Sequence, residues 1–188
     1  MPDSVNFGFI GFMLGHELSH SFDTTGIVLD KEGVDFDQAT DEDFEAYEER
    51  KLCFLNQFNN YTLDVTDDDD YMIQVDGELT VDENIADTTG IDVAFEAYKK
   101  AKAKSGNHLK LPGLEDVPDD QIFFLAFANS RCEAETPLYA QTMANRDEHS
   151  PEKFRVIGSL SNTKSFSEVF NCPPTTPMNP KEKCTLWE

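Results

Sequence analysis

The stretch GFMLGHELSHSFD, residues 11–23, places two histidines four positions apart with a glutamate directly after the first. On a helix, positions i and i+4 share one face, about 5–6 Å apart, so His16 and His20 can converge on one ion. Zinc accepts imidazole nitrogens and, in catalytic sites, keeps one position for water. Glu17 would lie beside that water and could take its proton during attack on a carbonyl. The spacing predicts a hydrolytic zinc site; the alternative is a helix whose polar face happens to carry these residues.

A hydrolytic zinc site needs a third protein ligand. The stretch VDENIADTTG offers Glu83 and Asp87, again four positions apart. Glu83 could bind the metal while Asp87 accepts a hydrogen bond from a ligating imidazole and fixes its tautomer. Thr80 and Glu83 also match a capping box, in which Glu83 would only cap its own helix. Spacing alone leaves both interpretations open.

Mostly helical segments must position these residues. An apolar stretch of helical length carries the histidines, and Thr40 followed three positions later by Asp43 predicts a helix start. Helices are predicted at residues 6–22, from 40 to about 58, from 80 to about 104, and at 119–131, 137–146, 151–160 and 165–170. The sequence therefore predicts a mainly α fold with little β-structure and an extended, proline-containing tail.

Composition limits the partners and the compartment. The net charge of −22 disfavours nucleic acid and an anionic membrane surface, and no apolar run approaches the roughly 20 residues of a membrane span. The four cysteines are widely spaced, without a CxxC pair, and Asn60-Tyr61-Thr62 is an N-glycosylation sequon. Together these features favour an oxidising, secretory environment and make Asn60 a candidate glycosylation site.

The stretch GHELSHSFD followed by ELTVDENIADTTGIDVAFEAY resembles the neprilysin and endothelin-converting-enzyme family of zinc metallopeptidases. The resemblance continues in order through LPGL, QIFFLAFA, HSPEKFRVIGSLSN, FSEVFNC and the final C-x-x-W. It implies a zincin-type, thermolysin-like fold in which residues 1–188 form the C-terminal portion of the catalytic domain. An upstream domain of the same polypeptide is accordingly expected.

The resemblance also implies a role for each candidate site residue. His16, His20 and Glu83 are expected to bind one zinc ion, with Glu17 as general base and Asp87 orienting a histidine. His149 is expected to stabilise the oxyanion of the tetrahedral intermediate, and Arg155 to hold a backbone carbonyl of the substrate.

The family pattern further implies a disulfide between Cys53 and Cys184, with Cys132 and Cys172 unpaired in this chain. It also shows a departure, because Arg131 replaces an apolar, often aromatic residue near the specificity pocket. That replacement could change the side-chain preference.

The resulting hypothesis is a zinc-dependent endopeptidase that hydrolyses short peptides on the amino side of apolar residues. It would act outside the cell, secreted or as the ectodomain of a type II membrane protein. Two alternatives are a catalytically impaired fragment and a secreted, non-enzymatic peptide-binding relative that keeps zinc for structure. The intact Glu17 counts against the binding protein, which has no need of a base.

Overall fold

A computed structural model describes residues 1–34, 40–64, 72–105, 109–144 and 146–187. Its α-helices are α1 (Asp3–Asn6), α2 (Phe12–Ser19), α3 (Asp41–Asn59), α4 (Val81–Ser105), α5 (Asp119–Ser130), α6 (Pro137–Met143), α7 (Glu152–Asn162) and α8 (Lys164–Val169). A π-helical turn, Phe7–Gly11, joins α1 to α2, and 3₁₀ turns follow at His20–Phe22 and Gly26–Val28. The prediction of a mainly α fold is confirmed.

The β-structure in the described residues is a two-stranded antiparallel ladder of β1 (Thr62–Asp64) and β2 (Met72–Gln74). Leu63 pairs with Ile73 at its centre. The sequence analysis did not place these strands, because three residues are too few to show the alternation that marks a strand.

The main core lies where α2, α4 and α5 meet. Phe12 of α2 is fully buried, and its ring centroid lies 4.6 Å from that of Phe127 on α5 in an edge-on contact. Ile91 and Tyr98 extend the same cluster along α4. Burying large aromatic rings is strongly favourable, at about 25 cal/mol per Å² of apolar surface removed from water. This core fixes α2, which carries the histidines, against α4, which carries Glu83.

The close approach of α2 and α4 depends on two glycines. A Cβ atom on Gly15 would lie 2.6 Å from the carbonyl oxygen of Gly90, and a Cβ atom on Gly90 would lie 2.6 Å from the backbone nitrogen of His16. No side chain fits in that gap, so the two backbones touch directly at the residue that precedes His16.

Capping interactions define where the long helices begin. The hydroxyl of Thr40 accepts a hydrogen bond from the backbone N–H of Asp43, whose carboxylate accepts one from the Thr40 N–H, so the predicted capping box is confirmed. At α4, the Thr80 hydroxyl instead donates to the carbonyl of Asp76. Glu83 is left to face α2.

The C-terminal tail, which was expected to be extended, instead folds through turns at residues 174–175 and 177–178, and it is tied to the helices. A disulfide joins Cys53 of α3 to Cys184, with the Cα atoms 5.5 Å apart, as the resemblance implied. The Asn162 side chain donates to Gln57 and accepts from the backbone N–H of Cys184. Cys132 is free and exposed, and Cys172 is free and half-buried.

Two further features concern the surface. Asn60 lies at the C-cap of α3 and is exposed, at the predicted helix-to-loop transition. Within the described ranges, none of the helices combines the length and the apolar character needed to cross a membrane.

Candidate metal centre

Three ligand side chains converge where α2 faces α4, the two histidines facing different oxygens of the Glu83 carboxylate. The Nε2 atom of His16 lies 3.2 Å from Nε2 of His20 and 3.2 Å from Oε2 of Glu83, and His20 Nε2 lies 3.4 Å from Oε1 of Glu83. Two ligands at corners of a tetrahedron with zinc bonds of about 2.0–2.1 Å are separated by about 3.3–3.4 Å. The donor set and its spacing therefore fit one zinc ion.

The second ring nitrogen of each histidine faces a carboxylate. His16 Nδ1 lies 2.9 Å from Oδ1 of Asp87, and His20 Nδ1 lies 2.7 Å from Oδ2 of Asp23. A carboxylate at Nδ1 fixes the tautomer that leaves Nε2 free for a metal and makes it a better ligand. Asp87 was expected in this role. Asp23 was not assigned, although it follows His20 by three residues in the quoted motif.

The ionisable groups at the centre are arranged so that a positive charge between them is favourable. Burial lowers the pKa of His16, but its contacts with Asp87 and Glu83 outweigh burial and raise it to about 9. Burial would raise the pKa of Glu83, yet its contacts with His149 and His16 hold that pKa well below its usual range. Carboxylates gathered in this way favour a positive charge between them, which a proton on His16 or a metal ion can supply.

Arg155 and Asp87 form a buried pair behind the ligands. Arg155 Nε lies 2.7 Å from Oδ2 of Asp87 and Nη2 lies 2.8 Å from Oδ1, with Asp87 fully buried. Burial opposes the charge on Asp87, but Arg155 and then His16 hold its pKa below the usual range. Arg155 Nη2 also reaches within 3.5 Å of Oε2 of Glu83. Arg155 is therefore fixed beside both Asp87 and Glu83, with almost all of its surface buried.

His149 stands on the open side of the centre. Its Nε2 lies 3.1 Å from Oε2 of Glu83, and its Nδ1 lies 2.7 Å from Oδ1 of Asp147. The contact with Glu83 is the main cause that raises the pKa of His149, against burial, and Asp147 adds to the rise. A protonated imidazole here is a ready donor to a developing oxyanion. Asp147 was missed by the sequence analysis; its signal is its position two residues before His149.

A buried hydrogen-bond chain anchors the turn that carries His149. The Ser150 hydroxyl donates to Oδ1 of Asn84, and Asn84 Nδ2 donates to the Thr80 hydroxyl. Asn84 is fully buried on α4, directly after Glu83. The turn is therefore fixed to the same helix that supplies the third ligand.

The remaining predicted residues lie around this group. Glu17 is exposed on α2 between the two histidines, where a base must be reachable by water. Arg131 places its guanidinium carbon 5.1 Å from the centroid of the Phe12 ring and Nη1 3.5 Å from Oε1 of Glu152. The structure thus brings His16, His20, Glu83, Asp87, His149 and Arg155 together, and keeps Asn60 and the disulfide Cys53–Cys184 apart from them.

Comparison with known proteins decides the family. A family model described as peptidase family M13 matches residues 1–186. The chain belongs to peptidase family M13. It is 40% identical over 186 residues to neprilysin-11 of Caenorhabditis elegans, a match that covers 99% of this chain and 21% of that protein. It is 41% identical over 186 residues to human endothelin-converting enzyme 1, covering 99% of this chain and 23% of that protein.

Solved structures agree with the M13 assignment. The zinc metalloprotease Zmp1 of Mycobacterium tuberculosis, crystallised with an inhibitor, matches 99% of this chain with a TM-score of 0.88 and 28% identity. The match covers 28% of the Zmp1 chain. This M13 chain thus spans about a fifth to a quarter of the length of the curated relatives it matches.

Proposed function

We propose that this M13 chain is the zinc-binding part of a neprilysin-type endopeptidase that hydrolyses short peptides. One observation supports the proposal above the others. The side chains of His16, His20 and Glu83 meet with 3.2–3.4 Å between facing ligand atoms, and the second nitrogen of each imidazole faces a carboxylate. Such second contacts hold ligands in a metal-binding orientation, which a merely capping Glu83 would not require.

In the proposed mechanism, zinc held by His16, His20 and Glu83 would polarise the scissile carbonyl and lower the pKa of a water. Glu17 takes the proton of the attacking water and passes it to the leaving amine. His149, whose pKa is raised by its contacts with Glu83 and Asp147, donates to the oxygen that becomes negative. One preplaced donor of this kind contributes about 2.7–4 kcal/mol to the barrier reduction.

Arg155 positions the peptide. Asp87 accepts two hydrogen bonds from one edge of the guanidinium, which holds the group in place when a substrate arrives. A carbonyl next to the cleaved bond then accepts a hydrogen bond from a donor whose place is set in advance, which lowers the entropic cost of orienting the substrate.

We further propose that the chain works outside the cell and together with an upstream part of the catalytic domain. The disulfide Cys53–Cys184 and the exposed sequon asparagine Asn60 support an oxidising, secretory environment. Beside Glu17, exposed apolar side chains form one face of the zinc helix and its π turn: Phe9, Ile10, Met13, Leu14 and Leu18. A contiguous apolar face of this kind is suited to pack against further protein.

The proposal is tested with Glu17→Gln. This change removes the base and no ligand, so zinc content should stay at one ion per chain while hydrolysis of a short peptide falls by roughly a thousandfold or more. Glu32→Gln, at an exposed loop position, is the matched control and should keep its activity. Equal activity of Glu17→Gln and the parent would contradict the general-base role. A parent that binds zinc and peptide without cleaving would favour the non-enzymatic relative.

A further inference from the structure

A cavity of about 220 Å³ opens directly beside the proposed catalytic residues, with His149 and Arg155 in its wall. Four carboxylates share that wall: Glu133, Glu135, Asp147 and Glu152. Apolar side chains complete it, among them Leu63, Tyr139 and Met143. The cavity therefore combines an apolar surface with a strongly acidic one at the edge of the metal centre.

The positive groups near the cavity are already engaged by acids. Asp147 lies 2.7 Å from His149, and one edge of the Arg155 guanidinium donates two hydrogen bonds to Asp87. Arg131 lies 3.5 Å from Oε1 of Glu152 and 3.9 Å from Oδ1 of Asp87.

Among the described residues, two carboxylates of the wall have no cation beside them, and Glu152, which has Arg131 and Arg155 near its Oε1 atom, keeps its second oxygen unpaired. Glu133 and Glu135 form no ion pair with any residue that the structure describes. The Oε2 atom of Glu152 is buried and receives no hydrogen bond within the described part of the chain. A buried acceptor without a donor costs free energy, so a donor that reached Oε2 of Glu152 would be stabilised there.

The protonation behaviour of two wall residues agrees with uncompensated negative charge. Burial and then repulsion from Glu133 raise the pKa of Glu135. Burial raises the pKa of Glu152, and the attraction of Arg131 and Arg155 does not offset it. A cation placed among these groups would favour their charged forms.

We propose that this cavity is a substrate subsite for a basic side chain, lysine or arginine, close to the cleaved bond of the peptide. The proposal rests on the peptidase function proposed above. The methylene stem of such a side chain would lie along Leu63, Tyr139 and Met143, with its charged head at Glu133, Glu135 and Glu152. Norleucine in the same place would fill the apolar part and leave the acceptors unpaired. The basic residue adds to the apolar residue that the family resemblance implies at the cleavage site.

The subsite is tested with quenched fluorogenic peptides that differ at one position, which carries lysine, norleucine or glutamate. The variable position is moved through the two residues on each side of the cleaved bond. At one of these positions we expect zinc-loaded protein to give a kcat/KM about tenfold higher for lysine than for norleucine, and the lowest value for glutamate.

Matched variants separate the cavity from the overall acidity of the protein. The net charge of −22 attracts any cationic peptide, so charge must be removed equally in both variants. In Glu133→Gln/Glu135→Gln the lysine-to-norleucine ratio should fall to about one. In Glu42→Gln/Glu45→Gln, at two exposed positions on α3, the ratio should remain near tenfold.

The outcomes distinguish the two proposals. Two outcomes would overturn the subsite and leave the peptidase proposal intact. In the first, the norleucine peptides are cleaved and lysine is not preferred at any position. In the second, the lysine preference survives in Glu133→Gln/Glu135→Gln. If turnover is too slow to measure, fluorescence anisotropy measures the binding of the same peptides. The lysine-to-norleucine ratio of their affinities is then expected to change between the variants in the same way. Zinc-loaded protein that neither cleaves nor binds any of the peptides would overturn the peptidase proposal and the subsite with it.

Discussion

Gly15 of α2 packs directly against Gly90 of α4, with no side chain between the two helices. His16 follows Gly15, and Glu83 lies about two turns before Gly90 on α4, so this contact sets how closely the ligands can approach. The separation of 3.2 Å between His16 Nε2 and Glu83 Oε2 is a consequence of it. A helix pair spaced by ordinary side chains, with axes about 8–10 Å apart, would hold the ligands further from each other.

Gly15→Ala should therefore weaken both the fold and the metal site. The added methyl group would meet the backbone of Gly90 at 2.6 Å, and the helices must separate to admit it. We expect a loss of about 2–3 kcal/mol in the free energy of unfolding and a clear drop in zinc affinity, measured by urea titration and metal competition. Gly11→Ala is the control, because its methyl group would meet only the Phe7 side chain, at 3.3 Å. Equal zinc affinity in both variants would contradict the role of the contact.

Asp87→Asn and Asp147→Asn should have different effects, the first on zinc binding through His16 and the second on hydrolysis through His149. The change removes the charge of the nearest ionic partner of the buried Arg155 and turns one of the two carboxylate oxygens into an amide donor, so we expect a loss of about 3–5 kcal/mol in stability and 10- to 100-fold in zinc affinity. Asp147→Asn is the comparison, since it acts on the exposed His149 and touches no ligand of the proposed zinc. It should keep zinc affinity and lower peptide hydrolysis. Thermal unfolding measures the stability of each variant, and isothermal titration of the folded protein measures its zinc affinity. Parental zinc affinity in Asp87→Asn would count against the role of Asp87 in orienting His16.

The disulfide between Cys53 and Cys184 should dominate the stability of the tail. It closes a separation of 131 residues, for which the chain-entropy model gives about 5 kcal/mol. Cys184→Ser should lose stability of that order, while Cys132→Ser, at an exposed free thiol, should stay within about 0.5 kcal/mol of the parent. Thiol titration of the denatured parent should find two free groups. Four free thiols in the oxidised protein would show that the pair is not formed.

Asp92 on α4 should make the protein less stable above about pH 6. Burial raises the pKa of Asp92 to about 6, with repulsion from Glu96 adding to the rise and Lys183 opposing it. An acid whose folded pKa is raised destabilises the fold once it is charged, so the cost is complete above pH 6 and disappears as the pH falls toward 4. The burial of Asp92 is incomplete, because part of the residue still faces water, and solvent screening therefore reduces this cost. Asp92→Asn should gain about 1 kcal/mol at pH 7 and nothing at pH 4.

Thermal unfolding at both pH values measures this effect. Asp116→Asn, at an exposed loop position, is the control for the loss of one negative charge. A gain that is the same at pH 4 and pH 7, or that Asp116→Asn reproduces, would show that the titration of Asp92 is not its cause.

Local rules predicted the helical elements of the site but not how they meet. The convergence of His16 and His20 follows from helix geometry, because the spacing of four residues belongs to one helix. The orientation of Glu83 does not, because it depends on where α4 lies relative to α2. Only the tertiary contact at Gly15 distinguishes a ligand from a cap at that position.

The missed residues have similar physical reasons. Asp23 and Asp147 each lie in a turn beside a histidine, and short acidic residues are common in turns for reasons unrelated to metals. The single helix predicted over 6–22 contains a π-helical turn at Phe7–Gly11 and ends in a 3₁₀ turn. Both are local departures in hydrogen bonding that leave the apolar periodicity nearly unchanged, so the sequence pattern does not reveal them.

The central claim is that His16, His20 and Glu83 hold one zinc ion. Equilibrium dialysis against zinc, followed by metal analysis, tests it most directly with the parent, Glu83→Gln and Glu78→Gln, the last being an exposed acid just before α4. The account predicts about one zinc per chain in the parent and in Glu78→Gln, and at least a tenfold loss of affinity in Glu83→Gln. Parental affinity in Glu83→Gln would contradict it.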